Sequence, residues 1–394
     1  MPDTIYKLMP FSELQLQLDE RAAQGLLRQR RTVSSLHTTQ LVVDEKQYIS
    51  FCSNDYLGLA SHPQIIEALK RGTERYGVGA GAAHLVSGHS IAHEQLETEL
   101  AAFIGKPAAL LFSTGYMANL GAVQALVSRE DTVFADKLNH ASLNDAMLLS
   151  RATVKRYRHC DMAQLSAMLS QTRSGRKLIC TDAVFSMDGD RAPLPELLAL
   201  CEKHDAWLLV DDAHGFGVSG IDGRGSLAHF GVESRRIIYM ATLGKAAGVS
   251  GAFVAAEKVV IDTLINNARS YIYTTATPPA LSVALMESLR LTADGDELRH
   301  HLQKLITQLR EGLNGLPWSL MESDTAIQPL MVGDNQAALN LSMALRERGI
   351  WVAAIRPPTV PVGTARLRIT LSAAHKVSDV ERLIEALHEL ARKI

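Results

Sequence analysis

The stretch Trp207-Leu208-Leu209-Val210-Asp211-Asp212-Ala213-His214 decides the fold. Its four apolar residues are too few for a helix, and they stop abruptly at two carboxylates and an imidazole. A short, wholly apolar run of this kind reads as a buried parallel strand, and ligands in such sheets sit beyond the carboxyl ends of the strands. Five further runs read the same way: Ala108–Phe112, Thr132–Ala135, Lys177–Thr181, Arg236–Ala241 and Gly251–Ala255. Helical patterns separate them. The alternation, kept up from Lys46 to about Leu289, predicts an α/β architecture: a mainly parallel sheet covered by helices.

The pattern changes beyond Pro278 and Pro279. Long helical stretches, Ala280–Leu291 and Asp296–Leu313, precede Ile327–Val332, a helix over Ala337–Arg348, a strand at Ala365–Leu371 and a last helix over Val377–Arg392. This predicts a smaller α+β domain. Before the large unit, Ser12–Arg31 reads as an amphipathic helix with Leu14, Leu18, Ala22 and Leu26 on one face and Ser12 as its cap. The expected organisation is an N-terminal helix and arm over residues 1–45, a large domain over 46–290 and a small domain over 291–394.

Bulk properties exclude several classes. A net charge of -2 leaves no electrostatic footprint for nucleic acid or an anionic membrane. The four cysteines (Cys52, Cys160, Cys180, Cys201) form no C-x-x-C pair, so neither a zinc site nor a disulfide framework is expected and a reducing compartment fits. The N-terminus shows no secretory pattern, and the acids Glu13, Asp19 and Glu20 argue against a transit peptide. Pro107–Val127 is the nearest thing to a membrane span, but Ser113, Thr114, Gly115, Asn119 and Gln124 interrupt it. A soluble cytoplasmic enzyme is the expectation.

The strand ends supply one chemistry when taken together: Ser113-Thr114-Gly115-Tyr116, Asn139-His140, Ser186, Asp211-Asp212-Ala213-His214 and Thr242-Leu243-Gly244-Lys245. Pyridoxal phosphate needs a lysine for its aldehyde, an acid at its ring nitrogen and donors for its phosphate. Lys245 lies among Gly244, Ala246, Ala247 and Gly248, small residues that let a flat ring approach the backbone. Asp211 at a strand end would hold the pyridinium proton, because an opposite charge favours the charged ring nitrogen. His214 and Ser186 are candidates for the ring's phenolic oxygen, and His140 for stacking on one ring face. Gly115 and Tyr116 open a helix whose N-terminal N–H groups favour a phosphate dianion, with the Thr242 hydroxyl beside them.

The chain also resembles the α-oxoamine synthase group of fold-type I pyridoxal-phosphate enzymes. The resemblance runs from Phe51-Cys-Ser-Asn-Asp-Tyr-Leu-Gly-Leu59 through Asp182-Ala-Val-Phe-Ser-Met-Asp-Gly-Asp190 and Asp211-Asp-Ala-His-Gly-Phe-Gly217 to Ala365-Arg-Leu-Arg-Ile-Thr-Leu371. Arg356-Pro-Pro-Thr-Val-Pro361 resembles the group's biotin-pathway branch more than its acetyl- or succinyl-CoA branches. What the resemblance implies is a decarboxylating condensation of L-alanine with a pimeloyl thioester, with Lys245 as cofactor anchor and general base and His140 as stacking residue and proton donor. It further implies that Asn54 and Arg356 hold the amino-acid carboxylate, that Arg28 and Thr359 contact substrate with Arg28 nearer the distal carboxylate, and that the protein is a homodimer in which Thr274 or Thr275 reaches the partner's phosphate. Arg30 and Arg31 compete with Arg28 for that contact.

Two departures from the group stand out. Position 182 is Asp where many relatives carry Glu, and Gly77-Val-Gly-Ala-Gly-Ala-Ala-His84 lacks the arginine, or further glycine and serine, often found around Ala83 and His84. Rival readings are a glycine C-acetyltransferase, which would keep every cofactor residue, and a metal hydrolase built on Asp211, Asp212 and His214. No second cluster with ligand spacing accompanies the latter three, so no metal is expected. A nucleotide site fails because Gly77-x-Gly79-x-Gly81 follows a helical pattern, Pro63–Tyr76, and not a strand.

Overall fold

A computed structural model describes residues 10–393. Its centre is a seven-stranded sheet built from β3 (Ala108–Phe112), β4 (Thr132–Asp136), β5 (Thr153–Tyr157), β6 (Lys177–Asp182), β7 (Trp207–Asp211), β8 (Ile237–Thr242) and β9 (Ala252–Ala256). The strand order is β3-β9-β8-β7-β6-β4-β5. Only β9 runs against its neighbours, so the sheet is mainly parallel, as the apolar runs predict. Helices cover both faces, and the strands serve both layers by alternation. Leu208 and Val210 of β7 join one apolar layer with Leu100 and Phe216, while Leu209 joins the other with Ala122 and Met147. β5 has no counterpart among the predicted strands. It is an edge strand with Lys155 and Arg156 in its centre, and charge on an edge strand blocks pairing with other chains at the expense of an apolar signature.

The C-terminal part carries a four-stranded antiparallel sheet, β10 (Ser319–Leu320), β11 (Ile327–Gly333), β13 (Ala353–Ile355) and β14 (Ala365–Thr370), in the order β10-β11-β14-β13. Helices Asp296–Gly312, Asn335–Glu347 and Val377–Ala391 pack with it. A third sheet joins β1 (Gln40–Val43) and β2 (Lys46–Ser50) to β12 (Ile350–Trp351), with β2 and β12 parallel. The segment at which the sequence reading begins the large unit is therefore a strand that pairs with the C-terminal part. Ile49, Phe51, Tyr56, Leu57 and Leu59 share a core with Leu305, Leu309, Leu367 and Ile369, which explains it: these apolar groups are buried against the small unit.

The N-terminal helix is shorter than expected, Ser12–Ala23, and Ser12 does not cap it. The capping position is Phe11, in the left-handed region, with no side-chain cap. Gly25, at φ +66°, turns the chain out of the helix, so Leu26 and Arg28 to Arg31 lie past its end. None of this helix's residues is buried. Among the described residues no helix is long and apolar enough to cross a membrane.

Candidate active site

The carboxyl ends of β6, β7 and β8 meet by register. Asp182 pairs with Asp211, and Asp211 with Met240, two residues before Thr242. Asp211 is buried, and its Oδ2 accepts from Asn119 Nδ2 at 2.7 Å while Oδ1 accepts from Ala213 N at 3.1 Å. Asn119 also donates to Ser142 Oγ at 2.9 Å, and Ser142 Oγ lies 2.7 Å from His140 Nδ1. A chain of hydrogen bonds thus runs from the carboxylate at the end of β7 to the imidazole of His140, which caps the helix Ala141–Ser150. The sequence reading missed Asn119 and Ser142. Asn119 sits one turn into the helix opened by Gly115, and its burial there is visible only once the fold is formed.

Asp182 orients His140 as well: its Oδ2 accepts from the His140 backbone N–H at 2.7 Å. The shorter acid at this position therefore has a defined partner. Burial, followed by the nearby Asp211 charge, holds the Asp182 carboxyl well above the usual carboxylate range. Burial also pushes the His140 imidazole below its ordinary value, outweighing the pull of Asp211.

Lys245 follows β8, and its Nζ lies 2.9 Å from His214 Nε2. Burial lowers the lysine to about 8, against the opposing attraction of Asp211 and Asp182. His214 is buried, with Nδ1 2.5 Å from Tyr56 Oη, and Tyr56 donates to Asn54 Oδ1 at 3.2 Å. Burial, with the Lys245 and Arg368 charges, holds His214 neutral far below its ordinary value. The network assigns the tautomer: Tyr56 donates to Asn54, so Nδ1–H donates to Tyr56 and Nε2 accepts from Lys245.

The same Asn54 Oδ1 accepts from Arg368 Nη1 and Nη2, both at 3.2 Å. Arg368 is buried on β14, and its Nε donates to the Ser186 carbonyl at 2.6 Å. The guanidinium beside Asn54 is thus Arg368 and not Arg356, whose Nη1 donates to the Gly25 carbonyl. Arg-x-Arg inside the buried strand Ala365–Thr370 was the overlooked signal, since arginine is rarely buried without a task. Arg366, two residues earlier on the same face, pairs with Asp188 and so ties down the Ser186 loop.

Arg28 donates through Nη2 to Thr359 Oγ1 at 3.0 Å, so the two residues expected to contact substrate are neighbours. Arg356 is near enough that the Arg28 charge, after burial, lowers its pKa. Arg31, one of the competitors of Arg28, pairs with Asp44 at 2.8 Å.

At the opposite end, Thr114 caps the helix Gly115–Leu126, its side chain accepting from Met117 N at 3.2 Å. A Cβ added to Gly115 would stand 3.8 Å from Thr242 Cβ, so the two groups expected to meet a phosphate are neighbours. Thr242 Oγ1 donates to the Gly251 carbonyl at 3.0 Å and accepts from Gly244 N at 3.3 Å. Tyr116 donates to Asp145 and is partly exposed. Asp212 has turned away: Ser226 N and Oγ, at 2.6 Å each, and Tyr239 at 3.0 Å hold it on the far side of the strand end. Among the described residues, the groups close enough to share a metal ion do not include Asp211, Asp212 or His214.

The aminotransferase class I and II family matches residues 46–387. 8-Amino-7-oxononanoate synthases from Nitrosospira multiformis and Nitrosomonas eutropha are 60% and 59% identical, over 95% of this chain in each case and 95% and 97% of theirs. This chain belongs to the 8-amino-7-oxononanoate synthase family. Members of that family among solved structures include the Francisella tularensis enzyme, 32% identical with a TM-score of 0.77, covering 88% of this chain and 98% of that one. The fold extends to serine palmitoyltransferase from S. paucimobilis with PLP and myriocin bound, 29% identical with a TM-score of 0.92 over 97% of this chain and 98% of that one. The relatives' names favour neither the glycine acetyltransferase nor the metal-hydrolase alternative. The residues present fit pyridoxal phosphate: a desolvated lysine, a buried carboxylate fixed by an amide, and a Cβ-free helix start beside a hydroxyl.

Proposed function

We propose that the chain condenses L-alanine with a pimeloyl thioester, carried by CoA or acyl-carrier protein, to give 8-amino-7-oxononanoate, CO2 and the free thiol carrier in biotin biosynthesis. The observation that carries this reading is the placement of two separate cationic groups, Arg368 with Asn54 and Arg28 with Arg356 and Thr359, matching a reaction whose two substrates each bring a carboxylate. Among the described residues neither group has an acidic partner that would use up its charge. Arginine suits both, because its planar fork binds a carboxylate in two-point fashion.

The chemistry that pyridoxal phosphate supplies when bound is an aldehyde for the amino acid and a ring that stores an electron pair released at the α-carbon. Asp211, fixed by Asn119, holds a proton at the ring nitrogen. Gly115, Tyr116 and Thr242 take the phosphate, and His214 and Ser186 face the phenolic oxygen. Arg368 and Asn54 bind the alanine carboxylate and so fix which bond at the α-carbon faces Lys245.

Lys245 Nζ then removes the α-proton. With a pKa of about 8, about one lysine in ten is neutral at pH 7, against fewer than one in a thousand for an ordinary lysine. His140, held by Asp182 and Ser142, donates a proton near the thioester oxygen as the new carbon–carbon bond forms. Arg28 and Thr359 hold the distal carboxylate of the acyl chain. The thiol leaves, CO2 leaves from the alanine carboxylate, and Lys245 returns a proton to the α-carbon.

The same reading makes the protein a cytoplasmic homodimer, with Thr274 or Thr275 of one protomer at the partner's phosphate. A fully active monomer in sedimentation would overturn that part. The reaction itself is tested by the absorbance spectrum of the purified protein. A visible cofactor band lost in Lys245→Ala, and a further band formed only with L-alanine and pimeloyl-CoA together, is the expected result. Response to glycine and acetyl-CoA instead would refute the substrate assignment.

A further inference from the structure

A second group of side chains has no part in that chemistry. His84 opens a π-helical turn (His84–Gly88), His89 follows its end, and His93 lies in the first turn of the next helix, Ile91–Ile104. One ring nitrogen of each lies within 4.8 Å of one from each of the others. We propose that these three histidines bind one zinc-class divalent cation through their Nδ1 atoms, with solvent in the fourth position.

The first argument is geometric. His84 Nδ1 and His89 Nδ1 face one another at 3.0 Å. Zn–N bonds of about 2.0–2.1 Å in a tetrahedron give ligand edges of about 3.3 Å, so a few tenths of an ångström of opening admits the ion. The hydrogen now shared between the two nitrogens, carried on His84 Nδ1, moves to His84 Nε2 as the ion enters, a change of tautomer that keeps the imidazole neutral.

The second argument lies in the opposite ring nitrogens. His89 Nε2 is 3.1 Å from Glu94 Oε2, and His93 Nε2 is 2.8 Å from the Thr277 carbonyl. Zinc-binding histidines almost always donate their other N–H to a carboxylate or a carbonyl, which fixes the tautomer with the lone pair towards the metal. Here both partners are in place, and both leave Nδ1 as the nitrogen that carries the lone pair. His93 Nδ1 at present accepts from Ser90 N at 3.0 Å. On binding, that lone pair passes to the metal, while the Ser90 side chain goes on accepting from the His93 backbone N–H.

Burial supports the third requirement, neutral imidazoles. His84 and His93 are both buried, and burial disfavours a charged imidazole. His89 keeps 29% of its side chain exposed, which leaves an entry path and room for a water ligand. The site would fasten three pieces of chain. His84 stacks on Tyr271 at 5.0 Å, Tyr271 meets Phe112 edge-on, and Ala276 N donates to the Ala82 carbonyl at 2.9 Å. Phe112 ends the strand that leads into Ser113-Thr114-Gly115.

The test uses the tag-free holoenzyme, loaded with zinc sulfate, dialysed and assayed for metal content, with calorimetric titration beside it. The expected result is one zinc per chain in the wild type and none in His89→Ala, a partly exposed position chosen so that the fold survives. Glu94→Gln is expected to bind about tenfold more weakly, the usual cost of an outer partner. An unchanged cofactor absorbance band in both variants shows that the fold is intact. Wild-type protein that retains no zinc, or His89→Ala that retains as much, overturns the proposal.

Discussion

Replacing Arg368 by lysine tests which guanidinium holds the amino-acid substrate. Arg368 reaches three partners at once: Ser186 O at 2.6 Å, Thr370 Oγ1 at 2.8 Å and Asn54 Oδ1 at 3.2 Å. A lysine keeps the positive charge but has a single nitrogen, which cannot hold the Ser186 carbonyl and still present a fork beside Asn54. The substrate carboxylate then loses about one charge-assisted hydrogen bond, about 1.5–3 kcal/mol, which is about a 10- to 150-fold change in binding. Steady-state kinetics with each substrate varied separately should therefore show KM for L-alanine rising by that factor in Arg368→Lys, with KM for pimeloyl-CoA little changed. Arg356→Ala should do the reverse, because its surroundings are Gly25 and Arg28. The cofactor band serves as a control for folding in both. If Arg356→Ala raises KM for alanine while Arg368→Lys leaves it alone, the assignment of the two arginines is wrong.

Two further perturbations reach groups that act from behind the site. Asn119→Ala removes the amide that fixes Asp211 and Ser142, so pyridoxal-phosphate affinity and kcat should both fall, by about tenfold or more for a lost hydrogen bond to a charged group; wild-type values for both, from a spectral titration and a rate assay, would contradict the network. His159 bridges Asp136 at 3.0 Å and Asp190 at 2.7 Å, and although burial opposes its charge these hydrogen bonds raise it to about 12. Its folded pKa lies above the unfolded value, so its contribution is full below pH 6.5 and is lost as pH rises towards 12. The gap in urea midpoint between wild type and His159→Gln should therefore be largest near pH 6 and narrow towards pH 10; a gap that widens with pH would refute the charged bridge.

The sequence made the large sheet legible because its central strands are buried on both faces. β7 and β3 are uninterrupted apolar runs, and their ends coincide with the polar residues that do chemistry. β5 escaped because an edge strand needs no apolar face on either side, and the Ser12 cap failed because the chain enters that helix through a left-handed Phe11. Cofactor candidates were legible for the same reason as the strands. Asp211, Lys245 and Thr242 stand where a parallel sheet presents its carboxyl ends. The supporting residues were not, since Asn119 and Ser142 are ordinary helix residues until the fold brings their side chains between Asp211 and His140.

Arg368 is the sharper case, because its meaning depends on a contact between distant parts of the chain. Asn54 lies just after β2, and β2 pairs with β12 of the C-terminal part. That pairing, together with the shared core of Phe51, Tyr56, Leu367 and Ile369, sets Asn54 against β14 and so against Arg368. Tyr56, two residues on, then joins the same carboxamide to His214 and Lys245. The small unit therefore reaches the reactive lysine through four side chains linked by hydrogen bonds. A shift of that unit would move Arg368 and Asn54 together. Whatever carboxylate they hold would stay at a fixed place relative to the pair, while its α-carbon moved relative to Lys245. On the proposed roles of Arg368, Asn54 and Lys245, the seating of the C-terminal part would set which bond of a bound amino acid faces the base, and a motif search along one dimension has no means of seeing that.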